Sequence, residues 1–178
     1  PVVFANPYYI PHCHAYKAAD DVFLQFQAFD LARAPDGSWW VLSQRTESPA
    51  GIGYTLENRI VTSRSIPDQF NANNLHRLAG FFRSFSEQLA RISDQHLAVV
   101  LTVESADLTV RDNRVFLKTL EGLERVDVII RRINSDSSDP LELRSVPGHG
   151  IAGLLQAARS GNVMMANAIG SGVACSEA

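Results

Sequence analysis

The stretch RVDVIIRRINSDSSDP, residues 125–140, holds the pattern that decides the fold. Its apolar residues run almost without interruption up to the arginines, which is typical of a buried β-strand. Arg131 and Arg132 follow at the strand end, and Asp136 and Asp139 come shortly after. This order predicts a buried strand that ends at two arginines and is followed by a polar, partly acidic segment.

The flanking sequence predicts further strands and helices in mixed order. The stretch 22–33 alternates apolar and polar residues and is followed by the turn residues Pro35-Asp36-Gly37, which predicts a hairpin with Trp39–Leu42. We expect an ordered loop over 43–53 and a capping box over Ser65–Asp68. The other predicted elements are a core-facing helix through Leu75, Leu78, Phe82, Phe85, Leu89 and Ile92, strands at 97–102, 108–111, 114–120, 126–131 and 163–166, and a helix over 150–159 that ends at Gly161.

Composition favours a globular α+β (mixed α/β) domain. The 178 residues are 46% hydrophobic and 20% charged, with a formal net charge of −3. The sequence has no basic stripe and no long apolar run, so we expect neither nucleic acid nor a membrane as a partner. Cys13 lies between His12 and His14, but with no second ligand cluster we expect a structural thiol in a cytoplasmic protein. The first residue, Pro1, predicts a fragment of a longer chain.

Five ordered stretches carry a family resemblance. They are 28–33 with 39–42, 49–54 with 56–59, 107–111 with 115–120, 125–132 with 139–143, and 161–163 with 166–173. Their order and spacing resemble the circularly permuted ATP-grasp family, in a long bacterial subfamily often joined to an α-helical partner domain. An unrelated α/β binding domain would have to match all five by chance.

The resemblance implies a partial ATP-grasp lobe, with a mixed sheet and packed helices, as one domain over residues 1–178. In this family ATP lies between two α+β lobes with Mg²⁺ on its phosphates. The implied reaction joins a small-molecule or peptide carboxylate to an amine through an acyl-phosphate. An α-helical partner protein is a further implied contact.

The resemblance also implies roles for particular residues. Arg131 and Arg132 are the expected catalytic cations, although strand alternation turns one of them away and leaves it solvated. Lys118 could reach a nucleotide phosphate, or could be an ordinary surface strand residue. The remaining candidates are Asn167, Gly170, Ser171 and Gly172 for the nucleotide, Asp136 and Asp139 for the metal, and Glu57, Asn58 and Arg59 for the substrate or for pinning the preceding loop.

Several departures from the family pattern leave a second interpretation open. Many members carry Glu-Asp-Asn after the Trp-bearing strand, where this chain has Ser43, Gln44 and Arg45. A segment that the family normally inserts near 102–103 is not in this sequence, either through a true deletion or because that stretch is absent from the chain as given. The alternative is therefore a catalytically degenerate ATP-grasp module that serves as a binding or scaffold protein. If the ligand roles hold, Arg131→Ala and Arg132→Ala should each abolish ATP binding without unfolding the domain.

Overall fold

The fold consists of short helices and three small sheets. The computed structural model describes residues 3–14, 16–18, 21–91, 99–102, 107–144 and 148–177. Within these ranges the α-helices are α1 Ile52–Ser65, α2 Pro67–Ala72, α3 Ala79–Ala90 and α4 Leu154–Arg159. The strands are β1 Ala28–Arg33, β2 Trp39–Arg45, β3 Val99–Thr102, β4 Leu108–Arg111, β5 Arg114–Thr119, β6 Gly122–Val126, β7 Val128–Arg131, β8 Met164–Ala166 and β9 Ser176–Glu177. This mixture confirms the predicted α+β class.

The central sheet is parallel, with the order β3-β7-β8. Val128 of β7 pairs with Val99 on one side and with Met164 on the other. Both Val128 and its neighbour Ile129 are fully buried, although successive strand residues face opposite sides of a sheet. Strand β7 is therefore covered on both faces, which accounts for its continuous apolar sequence.

The two faces of β7 contact different layers. Ile129 belongs to the main core, which also contains Val115 of β5 and Leu155 of α4. Val128 belongs to a smaller cluster with Leu89 of α3 and Met164 of β8. The predicted strands around 126–131 and 163–166 are thus confirmed, as is the final helix, which is shorter than expected and is followed by Gly161 at a φ of 68°.

The second sheet is an antiparallel meander of β4, β5 and β6. Asp112 and Asn113 have φ values of 50° and 57°, as the tight turn of a two-residue hairpin requires. The predicted hairpin is confirmed, while the pairing of β6 with β5 was not predicted.

The third sheet contains the predicted hairpin of β1 and β2, with β9 on its edge. Gly37 in the connecting turn has a φ of 88°, which favours glycine. Strand β1 begins at Ala28, so the alternating pattern from residue 22 extended the strand too far. Strand β2 reaches Arg45, and the expected loop over 43–53 is accordingly confined to 46–51.

The helical region differs most from the sequence-based expectation. Helix α1 was not predicted, since Gly51 and Gly53 indicated a loop. The capping box is wrong: Ser65 is the last residue of α1, and α2 begins at Pro67 with no side-chain cap. The proline at the first helical position is confirmed. The chain continues into α3 at Ala79, and the predicted residue Ile92 lies outside the described residues.

Burial is uneven along the chain. Among the described residues between 19 and 88, only Thr46 and Pro49 are buried. The third sheet and helices α1 to α3 leave large apolar side chains exposed, for example Trp39 at 66% and Tyr54 at 81%. In the part of the chain that the structure describes, no helix is long and apolar enough to cross a bilayer. The predicted missing segment at 102–103 borders residues that lie outside the described ranges.

Helix α3 supplies a test of which residues stabilise the domain. Leu89 is 4% exposed, whereas Phe82 is 36% exposed and contacts Phe81 edge-on at 5.7 Å. We expect Leu89→Ala to lower the free energy of unfolding by about 2–5 kcal/mol. Phe82→Ala should cost only about 1 kcal/mol, because it loses little more than an aromatic pair. Urea unfolding of both variants measures the difference, and equal losses would contradict this placement of the helix.

Candidate functional site

Arg131, the last residue of β7, has a buried guanidinium that is held by protein groups. Its side chain is 1% exposed. Nε donates to the Asn167 carbonyl at 2.9 Å, and Nη1 donates to the Ile133 carbonyl at 3.0 Å. Nη2 donates to the Ala168 carbonyl at 2.9 Å. The arginine therefore ties the end of β7 to the segment that follows β8.

Glu47 supplies the charge that opposes this arginine. Its Oε1 lies 3.2 Å from Arg131 Nη1, and its side chain is 14% exposed. The same oxygen accepts from the Ser135 amide at 2.6 Å and from the Ser135 hydroxyl. Burial lowers the pKa of Arg131, and the attraction of Glu47 opposes that shift. A buried ion pair is tolerated when further hydrogen bonds satisfy its atoms, as they do here.

Asn167 joins the third sheet to the parallel sheet. Its Oδ1 accepts from the Gln25 amide at 2.7 Å and from the Phe26 amide at 3.1 Å. Its Nδ2 donates to the Thr46 carbonyl at 2.7 Å and to the Phe26 carbonyl at 2.6 Å. The side chain is fully buried, and the Ala166–Asn167 peptide bond is cis. The Asn167 side chain thus links the backbone at residues 25–26 to the backbone at Thr46, where no strand pairing connects the two segments.

The turn after Asn167 packs closely on the loop that carries Glu47. Thr46 Oγ1 donates to the Ser171 carbonyl at 2.7 Å, and Ser171 Oγ donates to the Thr46 carbonyl at 3.0 Å. A Cβ added to Gly172 would lie 2.0 Å from Glu47 Oε2 and 3.1 Å from Tyr8 Cβ. Glycine at this position therefore allows the loop and the turn to approach each other.

The predicted anion turn is partly used inside the protein. The Gly170 amide donates to Ser135 Oγ at 2.8 Å, and Gly170 has a φ of 88°. Ser171 Oγ also lies 3.3 Å from Arg131 Nη2. The structure thus brings together Arg131, Asn167, Gly170, Ser171 and Gly172, five of the predicted site residues, around Glu47.

Two clefts that share Pro7 and Tyr8 lie near this cluster. The smaller, of about 70 Å³, includes Glu47 of the cluster, and its other lining residues are Pro7, Tyr8, Ile10, Asn134 and Asp136. The larger, of about 840 Å³, shares Pro7 and Tyr8 and is lined by the end of β2. The polar centre therefore reaches the surface between the first residues of the chain, the β2 edge and the segment after β7.

The residues that depart from the family pattern line the larger cleft. Asp30 Oδ2 lies 2.6 Å from Arg45 Nη2 and also accepts from Ser43 Oγ. The Ser43 hydrogen bond and then the Arg45 guanidinium hold the pKa of Asp30 below its ordinary value. Gln44 Nε2 donates to Gln27 Oε1 at 2.8 Å. The cleft rim thus presents one carboxylate that already has a cationic partner.

The other predicted residues lie apart from the cluster or face inward. Arg132 is exposed, and Lys118 is exposed on β5. Asp139 is fully buried; its Oδ1 accepts from the amides of Leu141 and Gly153, and its Oδ2 accepts from the Leu155 amide at 2.9 Å. Asp139 therefore caps the start of α4 in this structure, and its role as a metal ligand stays a prediction.

Glu57, Asn58 and Arg59 lie on helix α1. Glu57 and Asn58 are exposed, whereas Arg59 is half-buried and lines a different cavity, between α1 and the α2–α3 connection. Within the described part of the chain, no hydrogen bond connects these three residues to the cluster around Glu47.

Sequence reasoning missed Glu47 and Ser135. Glu47 lies in a polar loop and Ser135 in a serine-rich segment, and neither has a local pattern that marks it. Their partners are distant in sequence: 84 positions separate Glu47 from Arg131. The available signal was indirect, because an arginine at the end of a strand covered on both faces needs an opposing acid.

The donor set around the small cleft suits a metal ion only when it arrives with phosphates. Among the described residues, no group of three or more His, Cys, Asp or Glu side chains could hold a metal. The cleft offers two carboxylates, Glu47 and Asp136, and each already has an arginine partner: Arg131 lies 3.2 Å from Glu47, and Arg144 lies 3.8 Å from Asp136. Mg²⁺ is commonly bound by one or two carboxylates together with substrate phosphates, so the pair fits magnesium on a nucleotide.

The sequence matches the family described as circularly permuted ATP-grasp type 2 over residues 1–103 and 95–178. It is 30% identical to the uncharacterized protein Rv2567 of Mycobacterium tuberculosis over 97% of this chain and 22% of that protein. It is 33% identical to the uncharacterized protein sll0335 of Synechocystis over 93% of this chain and 40% of that protein. The uncharacterized protein ML0605 of Mycobacterium leprae is 34% identical over 85% of this chain and 32% of its own length. The chain thus spans between a fifth and two fifths of the length of these relatives.

Removing the charge of Glu47 should destabilise the domain. Glu47→Gln leaves the Arg131 guanidinium buried without its opposing charge, so we expect a loss of about 3 kcal/mol in the free energy of unfolding. Urea unfolding at neutral pH is the measurement. Glu124→Gln, at an exposed position on β6, is the matched control and should change stability by less than about 0.5 kcal/mol. Similar small losses in both variants would contradict the stabilising role of the ion pair.

The Cys13 thiol should make stability depend on alkaline pH. Burial raises its pKa to about 11, with Arg159 opposing the shift. The folded pKa exceeds the unfolded value of about 8.5, so the stabilising contribution is complete below that value and is lost as pH rises through about 11. We expect Cys13→Ala to flatten the decline of unfolding free energy over this window. A decline that stays as steep in Cys13→Ala as in the wild type would contradict the assignment.

Proposed function

Because the chain belongs to the circularly permuted ATP-grasp type 2 family, we propose that it is part of an ATP-dependent ligase that joins a carboxylate to an amine. The family match supports ATP-dependent ligation in general terms. The observation that supports this chain's contribution is the buried Arg131–Glu47 pair, because it fixes a polar cleft at the carboxyl end of β7. Ligands of open α/β sheets commonly bind outside the carboxyl ends of the strands.

The two arginines take different roles in this proposal. Every nitrogen of the Arg131 guanidinium already donates to protein acceptors, so it is a positioning residue. Arg132, the next residue, is exposed and carries the guanidinium that can meet a phosphoryl or carboxylate group. Because Arg131 is buried, we expect Arg131→Ala to destabilise or unfold the domain, so its effect on binding cannot be measured separately. Arg132 is exposed, and a variant at that residue can lose ligand binding while the domain stays folded.

The proposed reaction has two steps. An oxygen of the substrate carboxylate attacks the γ-phosphorus of ATP, the bond to the β,γ-bridging oxygen breaks, and ADP leaves. The amine nitrogen then attacks the acyl carbon, phosphate leaves with the electron pair of the C–O bond, and the amine proton passes to solvent. In such transfers the protein supplies mainly position and electrostatic stabilisation.

The remaining predicted residues are assigned by the same proposal. Asp136 and Glu47, which line the same cleft, would hold Mg²⁺ together with the nucleotide phosphates, and the ion would supply charge neutralisation there. Lys118 and the turn Asn167–Gly172 are retained as proposed nucleotide contacts. The Asn167 amide and the Gly170 N–H are bonded within the protein, so these two groups would have to exchange partners to contact a nucleotide. Gly172 packs close to Glu47, which lines the smaller cleft.

A degenerate binding or scaffold module is the second candidate. One observation favours it: Ser43, Gln44 and Arg45 line the larger cleft, where the family pattern has Glu-Asp-Asn, and Arg45 is paired with Asp30. A cation at this rim repels Mg²⁺. In this case the chain would bind a partner protein, for example an α-helical one, without turning over ATP.

Calorimetric titration with ATP, with and without Mg²⁺, tests the proposal. We expect Mg²⁺-dependent binding that Arg132→Ala weakens by about tenfold or more, because a charge-assisted hydrogen bond is lost. Arg111→Ala, an exposed arginine on the β4–β5 hairpin, is the control and should bind like the wild type. The longer Synechocystis relative is titrated in parallel. Absence of binding in both proteins would overturn the ligase proposal and favour the scaffold.

A further inference from the structure

A second cavity lies between α1 and the connection from α2 to α3, away from the Arg131 cluster. Its volume is about 460 Å³, within the range of small-molecule sites. One wall is apolar and includes Leu56, Ile60 and Phe70. The cavity therefore has the size and the apolar surface to hold a small organic molecule.

Arg59 lines this cavity, and one nitrogen of its guanidinium is an unsatisfied donor. Arg59 Nη1 is a buried side-chain atom without a hydrogen-bond partner among the described residues. Leaving a charged donor unpaired away from water is costly, more so than leaving a neutral one. An acceptor supplied by a ligand would satisfy it, and a negatively charged acceptor would do so most strongly.

The polar wall of the cavity is basic. Arg77 and His76 line it together with Arg59, and Asn71 and Asn74 add amide groups that can donate. The described lining residues include no aspartate or glutamate. The wall thus favours an anion over a cation or a neutral ligand.

We propose that this cavity binds a small organic carboxylate, with its carboxylate on Arg59 and its hydrocarbon part against Leu56, Ile60 and Phe70. The apolar lining favours a carboxylate that carries a hydrocarbon chain. Inorganic phosphate is disfavoured because it has no apolar group to pack against these side chains. The inference stands without the proposed ligase activity.

The experiment is an NMR titration of the isotopically labelled protein, without ATP, with hexanoate, hexanamide and inorganic phosphate as separate probes. We expect saturable shifts of α1 and α2 amides with hexanoate, and binding of hexanamide and phosphate that is weaker by about tenfold or more. Equal affinity for hexanoate and hexanamide would overturn the role of charge. Tighter binding of phosphate would overturn the carboxylate assignment, and no shift with any probe would overturn the site itself.

Variants localise the binding to the unsatisfied donor. Arg59→Gln should weaken hexanoate binding by about tenfold or more, while Arg64→Gln, an exposed arginine on the same helix, should not change it. If Arg59→Gln does not fold, Arg77→Gln serves in its place and should also weaken binding. Wild-type affinity in a folded Arg59 or Arg77 variant would overturn the proposal. Because ATP is absent throughout, this result is independent of the ATP titration.

Discussion

A positive charge buried at the end of β7 constrains the rest of this structure. The Arg131 guanidinium cannot remain there without acceptors in every donor direction, and those acceptors come from three separate parts of the chain. Glu47 belongs to the loop after β2, Ile133 to the segment after β7, and Asn167 and Ala168 to the segment after β8. All three segments therefore meet at the guanidinium. Removing any of these would leave a buried charge incompletely compensated. The polar centre is thus a junction of segments as well as a candidate site.

The parallel sheet explains why this junction lies beside a cleft. Strand β7 is covered on both faces, so its first polar residue appears only where the strand ends. Alternation then buries Arg131 and exposes Arg132. Asp136 lies in the segment that follows β7, and it lines the smaller cleft together with Glu47. The position of the site therefore follows from the point at which β7, a strand buried on both faces, ends.

Sequence pattern predicted those features that depend on neighbouring residues. The β4–β5 hairpin, the strand ending at Arg131 and the turn after Gly37 all follow from local periodicity or turn chemistry. The role of Asp139 was not predictable in this way, because the amides it caps lie 14 and 16 positions later. Helix α1 was missed since its glycines resemble those of a loop, and its apolar residues do not form a buried stripe. The acidic partner of Arg131 required knowledge of a contact between distant segments.

The uneven burial along the chain has a consequence for the way the domain opens. Helices α1 and α2 contain no buried residue, whereas β7, β8 and α4 consist largely of buried ones. Local opening free energies follow buried contacts, so the two regions form separate cooperative units. We expect amide protons of α1 and α2 to exchange with solvent through local fluctuations, and those of β7 and β8 to exchange only when the whole core unfolds.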